Sequence, residues 1–128
     1  MKLIFASSVI VLFSTSIAHA VMVDCTVQLI QACTAKGCET LAGAQTYNFD
    51  FGSGKIVSCT LEDGTPKCVG YVGKFSDVTD RGTFGTMELD GLIFALIRYD
   101  PKEHKFTVTN PRTTEVRTAF GNCAQERP

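Results

Sequence analysis

The stretch CTLEDGTPKC, residues 59–68, decides the fold because it fixes the geometry of one β-hairpin. Asp63-Gly64 is a preferred central pair for a two-residue type I′ turn, since both positions of that turn have positive φ. With this turn, Pro66 occupies a non-hydrogen-bonded position, where the N–H that proline lacks is not needed. Cys59 then faces Cys68 at a closely spaced pair that suits a disulfide. The stretch therefore predicts a bridged antiparallel hairpin.

Turn signals recur at short intervals along the rest of the chain and predict an all-β meander. Asp90-Gly91 is a second type I′ pair, and Gly52-Ser53-Gly54, 100–103 and Asn110-Pro111 mark further turns. The predicted strands are 24–31, 47–51, 55–61, 66–72, 83–89, 92–99, 105–109 and 113–119. Eight short antiparallel strands can close into a small up-and-down barrel, which removes exposed sheet edges. The alternative architecture is a two-sheet β-sandwich.

Two segments give no clear strand signal. Residues 32–44 are predicted to be irregular, with a helical turn around 38–42. The polar stretch 73–82 is predicted to be one of the longest connections. For residues 24–31, a short helix with Cys25, Leu29 and Cys33 on one face is the alternative to the predicted strand.

The first twenty residues predict a secretory signal peptide. Lys2 precedes the apolar core 3–13, and Ala18-His19-Ala20 provides a small-x-small cleavage site. Because serines interrupt the apolar core, it is a poor bilayer-spanning helix, and no stable membrane insertion is expected after cleavage. The remainder, residues 21–128, is predicted to be one periplasmic or secreted domain.

All six cysteines lie in that predicted mature domain, which favours three disulfides in an exported protein of this size. Besides the hairpin bridge, Cys33 can close on Cys38, and Cys25 on Cys123. The alternative pairs Cys25 with Cys38 and Cys33 with Cys123. The absence of Cys-x-x-Cys argues against a redox or zinc centre, so we expect structural cysteines without a metal or cofactor.

Composition and motifs exclude several function classes. Without Lys2 the chain carries 11 basic and 13 acidic side chains, with no basic cluster, so no nucleic-acid partner is expected. His104 is the single histidine after the signal, and it lies in a predicted solvated turn. No nucleophile elbow, phosphate-binding loop or zinc-protease motif occurs. We therefore expect a non-catalytic protein.

A candidate binding loop is predicted in the polar connection 73–82, because long loops on small rigid scaffolds often carry recognition. Its candidate residues are Lys74, Asp77, Asp80 and Arg81.

The second hairpin is apolar on both predicted faces, which indicates that both faces are covered. One predicted face carries Met87, Leu89, Leu92, Phe94 and Leu96, and the other carries Phe84, Ile93, Ala95 and Ile97. Residues 30–44 are the expected internal cover. The alternative is a partner or homodimer interface, with Phe84, Ile93 and Ile97 as its candidates.

An export signal, a disulfide-stapled domain of this length and an eight-stranded meander together resemble the bacterial periplasmic inhibitors of c-type lysozyme. Proteins of that family insert a surface loop with the pattern Ser-Gly-x-x-Tyr into the active-site cleft of the enzyme. Here Ser53-Gly54-Lys55-Ile56-Val57 supplies Ser-Gly but has valine in the place of tyrosine, so no site residue is carried over.

The function expected from the sequence is an exported binding or inhibitory module that recognises a protein or a cell-envelope component. The alternative is a structural or assembly factor that acts through an apolar sheet face.

Overall fold

The computed structural model describes residues 22–78, 82–124 and 126, and the predicted signal peptide lies outside them. The described chain is all-β, and no helix in it is long and apolar enough to cross a bilayer. Its strands are β1 (Met22–Thr34), β2 (Gly37–Ala42), β3 (Gln45–Asp50), β4 (Lys55–Glu62), β5 (Thr65–Val78), β6 (Gly82–Leu89), β7 (Leu92–Asp100), β8 (Lys105–Pro111) and β9 (Val116–Cys123).

The sheet closes into the predicted antiparallel barrel of eight strands. Each strand from β3 to β9 pairs with the next, and β9 returns to pair with β1. The first half of β1 pairs with β3 and closes the barrel, whereas its second half pairs with the additional strand β2. Both type I′ turns form, with positive φ at Asp63-Gly64 and Asp90-Gly91.

Strand β2 corrects the prediction of an irregular segment over 32–44. The chain reverses tightly at residues 35–36, with Gly37 at φ 139°, and Cys33 then pairs with Cys38. The predicted helical turn at 38–42 is wrong, as is the competing helix over 24–31. Most residues of β2 are exposed, so the strand lacks the apolar alternation that sequence patterns detect.

The long polar connection predicted at 73–82 is also largely absent. Strand β5 continues to Val78 and pairs in register with β6, from Val72 opposite Glu88 to Val78 opposite Gly82. Gly73 interrupts the apolar pattern because it faces the interior, where a Cβ would lie 2.6 Å from the ring of Phe75. A glycine that signals a loop in the sequence thus makes room for a core aromatic side chain.

A β-bulge changes which side chains of the second hairpin share a face. The register shifts between Met87 and Glu88, so that Met87 pairs with Ala95 and Glu88 with Ile93. Met87, Ala95 and Ile97 are consequently buried inside the barrel. The two faces predicted from uninterrupted alternation are therefore wrong, because a bulge adds one residue to a strand.

Aromatic side chains close one end of the barrel, which we call the sealed end. Alternation along the predicted strand 47–51 places Tyr47, Phe49 and Phe51 on one face, and their ring centroids lie 5.5 and 6.0 Å apart along the series. Phe51 also packs edge-on against Phe75 at 4.8 Å and stacks on Tyr99 at 5.3 Å. Such offset and edge-to-face contacts are favourable beyond the area that they bury.

Two loops at the sealed end are each held by an aspartate. Asp50 accepts hydrogen bonds at 3.0 Å from the backbone N–H groups of Gly52 and Ser53. Asp100 accepts corresponding bonds at 2.9 and 3.2 Å, from Lys102 and Glu103. In both cases these bonds to the ionised carboxylate lower the pKa of the aspartate.

All six cysteines are paired, and the register of the hairpin is the one predicted. Cys59–Cys68 links β4 to β5, Cys33–Cys38 links β1 to β2, and Cys25–Cys123 links β1 to β9. The alternative pairing is wrong. Because the last bridge joins the first and last strands, it fastens the barrel at its closing seam.

Candidate functional site

An apolar groove lies on the outside of the barrel, across strands β5, β6 and β7; we call it the outer groove. Its volume is about 600 Å³. Phe84, Ile93 and Leu96 supply its apolar surface, and their exposed fractions are 37, 64 and 52 %. Water-exposed apolar side chains that cluster in this way on a soluble protein commonly mark an interaction surface.

Positive charge borders the outer groove. The Lys74 ammonium lies 3.4 Å from the Glu88 carboxylate, but the lysine side chain is 74 % exposed and that of Glu88 only 16 %. Next to the groove, the Arg98 guanidinium lies over the ring of Phe84, 5.6 Å from its centroid, in a cation–π contact. The groove therefore presents an apolar floor and a cationic rim to solvent.

The structure brings together parts of the two predicted candidate sets. Lys74 from the predicted binding loop lies on β5, and beside it in the groove are Phe84 and Ile93 from the predicted interface. Ile97 is only 3 % exposed, so its side chain belongs to the core and cannot meet a partner.

Asp77, another candidate of the predicted loop, does not line the groove. Asp77 pairs with Thr83 across the hairpin, and its carboxylate accepts a 2.7 Å hydrogen bond from the Thr83 hydroxyl. Asp80 and Arg81 lie outside the described residues.

The internal cover expected from residues 30–44 is not present over this hairpin. Ile93 and Leu92 are 64 and 74 % exposed, and residues 37–42 pair with β1 instead. Among the described residues these two apolar side chains therefore stay exposed to solvent.

A second cavity opens at the end of the barrel opposite the aromatic cluster; we call it the barrel mouth. Its volume is about 150 Å³. The residues that line it are Ile30, Gln45, Tyr47, Ser58, Tyr71, Met87, Phe94, Ala95, Val108, Asn110, Arg112, Arg117 and Ala119. Burial raises the pKa of Tyr47, and a hydrogen bond with Ser58 partly opposes this rise, so the phenol is neutral at physiological pH.

Sequence reasoning missed the barrel mouth, although strand alternation contained a signal for it. Val108 faces the interior, which places Asn110 on the same side of β8 two residues later. Ala119 similarly places Arg117 inward on β9, opposite Asn110. Counting inward positions to the ends of the last two strands would have revealed polar side chains at an otherwise apolar lumen.

Two other sequence features lie at the sealed end. Ser53-Gly54 lies in the turn between β3 and β4, whereas Ile56 is fully buried and Val57 half-buried. His104 occupies the last position of its turn with φ 53°. It is half-buried rather than solvated, and its ring Nδ1 is buried without a hydrogen-bond partner among the described residues.

Comparisons with protein-family models, with curated proteins and with solved structures find no match for this chain.

Proposed function

We propose that the protein is an exported, non-catalytic binding module that recognises another protein through the outer groove. The observation that carries this proposal is the exposed apolar cluster of Phe84, Ile93 and Leu96 beside the cations Lys74 and Arg98. Export is supported by the predicted signal peptide and by three disulfides, which persist in oxidising compartments. The same two features support the proposed periplasmic or extracellular location.

The chemistry of the groove defines the kind of partner. Its apolar floor suits a protein surface with protruding apolar side chains, and its exposed cations suit flanking Asp or Glu residues. A symmetric pair of these grooves would bring two cationic rims together, which disfavours a second copy of the chain. We therefore assign the groove to a different protein with an acidic rim around an apolar patch.

Capture with matched variants tests this assignment. The oxidised protein is immobilised and exposed to cell-envelope extract and to secretions of the source organism, together with the variant Ile93→Lys/Leu96→Lys. Leu61→Lys is the control, because Leu61 is 61 % exposed on the other hairpin, away from the groove. We expect the wild type and the control to retain the same protein, and the groove variant to retain at least tenfold less.

Equal capture by the groove variant and the wild type would contradict the proposal, as would no capture by any of the three proteins. Analytical ultracentrifugation addresses the homodimer. A concentration-dependent dimer that the groove variant abolishes would replace the hetero-partner with a second copy.

A further inference from the structure

We propose that the barrel mouth binds a small carboxylate whose apolar body is about the size of a benzene ring. This site is separate from the outer groove, so the two proposals stand or fall independently.

The floor and walls of the mouth suit the apolar part of such a ligand. Met87, Ala95 and Val108 line the cavity from the barrel core. Tyr71 and Phe94 form one wall, with their rings stacked at a centroid distance of 5.5 Å and an interplanar angle of 15°. A volume of about 150 Å³ matches the scale of an apolar protein cavity that accepts benzene, roughly 150 Å³.

The rim of the mouth carries the positively charged side chains that would bind an anion. Arg112 and Arg117 line the mouth, and its described lining contains no carboxylate. Glu115 organises this loop, because its carbonyl accepts the N–H of Arg112 and its carboxylate accepts the Arg117 Nε–H at 2.7 Å. The Arg117 guanidinium is thereby held through Nε, which leaves its terminal N–H groups for a carboxylate.

A ligand would enter the barrel lumen through the mouth, because the opposite end of the barrel is closed. The aromatic cluster around Phe49, Phe51 and Tyr99 fills the lumen there, and Cys25–Cys123 fastens the strands beside it. A ligand seated in the lumen would keep its apolar body toward the core and its charge toward the arginines. Small β-barrels commonly hold ligands in this way, at one open end above a packed interior.

Binding of phenylacetate, followed by NMR chemical shifts of the ¹⁵N-labelled oxidised protein, tests the proposal. Phenylacetamide is the matched probe without charge. We expect phenylacetate to shift the amides of Tyr71, Ala95 and Val108, and to bind at least tenfold more tightly than phenylacetamide. Arg112→Gln/Arg117→Gln should weaken phenylacetate binding by at least tenfold, whereas Lys102→Gln, in the exposed turn at the sealed end, should leave it unchanged.

Three results would overturn the proposal: no saturable shift up to about 10 mM phenylacetate, equal affinity for the acid and the amide, or shifts confined to the outer groove. If the double arginine variant fails to fold, the single variants and the acid–amide comparison still decide the outcome. The outer groove is tested with different residues and a macromolecular partner, so failure of the phenylacetate test does not refute that proposal.

Discussion

Removal of the Cys25–Cys123 bridge should destabilise the protein more than removal of either hairpin bridge. This bridge joins β1 to β9 and spans 98 positions of sequence, whereas Cys33–Cys38 and Cys59–Cys68 span 5 and 9. Because Cys25 is buried, the variant is Cys25→Ala/Cys123→Ala, which avoids placing a hydroxyl in the core. The other two bridges, replaced pairwise by serine, provide comparisons within the same fold.

The expected size follows from the chain entropy that each bridge removes from the unfolded state. At 25 °C the loss in unfolding free energy is about 4.7 kcal/mol for the long loop and about 2 to 2.6 kcal/mol for the two short loops. Small domains have total stabilities of about 5–15 kcal/mol. The first variant should therefore be close to the limit of folding, while the other two remain folded.

Urea unfolding of the three oxidised variants measures this order through the midpoint and the m-value. The m-value should rise most in Cys25→Ala/Cys123→Ala, because an unfolded chain without the long cross-link exposes more surface. If this variant is already unfolded in the absence of urea, that result also agrees with the largest expected loss of unfolding free energy. The reasoning is refuted if this variant loses no more stability than Cys33→Ser/Cys38→Ser, or if its m-value stays at the wild-type value.

Three further predictions probe packing, burial and pH dependence. Gly73→Ala should cost about 1–3 kcal/mol in urea unfolding, because the added methyl meets the Phe75 ring, whereas Gly70→Ala on the same strand meets nothing within 4 Å and should be nearly neutral. Ile97→Lys should abolish the native circular dichroism spectrum and Ile93→Lys should preserve it, since only the first places a charge in the core. Folding lowers the pKa of Asp50, so the ionised carboxylate stabilises the folded protein above pH about 4, and this stabilisation is lost in acid. The difference in melting temperature between wild type and Asp50→Asn should therefore shrink as the pH falls below about 4. A difference that does not depend on pH would contradict this.

The sequence predicts the parts of this fold that depend on local turn chemistry. Asp63-Gly64 specifies its hairpin because a type I′ turn fixes the pairing of both strands, and the same rule finds the turn at Asp90-Gly91. The strands of the two hairpins are found for this reason, whereas the strands predicted over 24–31 and 47–51 rest on the alternation of apolar and polar residues. Closure is predicted as well, because a meander of this strand number has few other ways to cover its edges.

The features that escape prediction depend on contacts distant in sequence. The alternation of apolar and polar residues does not reveal strand β2, because most of its residues are exposed. The bulge beside Met87 turns that side chain inward with Ala95, and no residue there marks it as a bulge. As a result the sequence correctly identifies an apolar hairpin but places Ile97 on the surface, and the face presented to a partner has to be taken from the structure.

Closure of the barrel also limits how the protein can recognise anything. An open sheet can add a peptide strand to its edge, but β3 to β9 each have two neighbours, and β1 has β9 on one side and β2 and β3 on the other. Among the described strands the free edge belongs to β2, which has six residues, is mostly exposed and carries Glu39, features that oppose edge pairing. Recognition is then left to a side-chain surface or to an end of the barrel. The sealed end is filled by aromatic rings, whereas the outer groove and the barrel mouth are open to solvent, which is why the two binding proposals concern these surfaces.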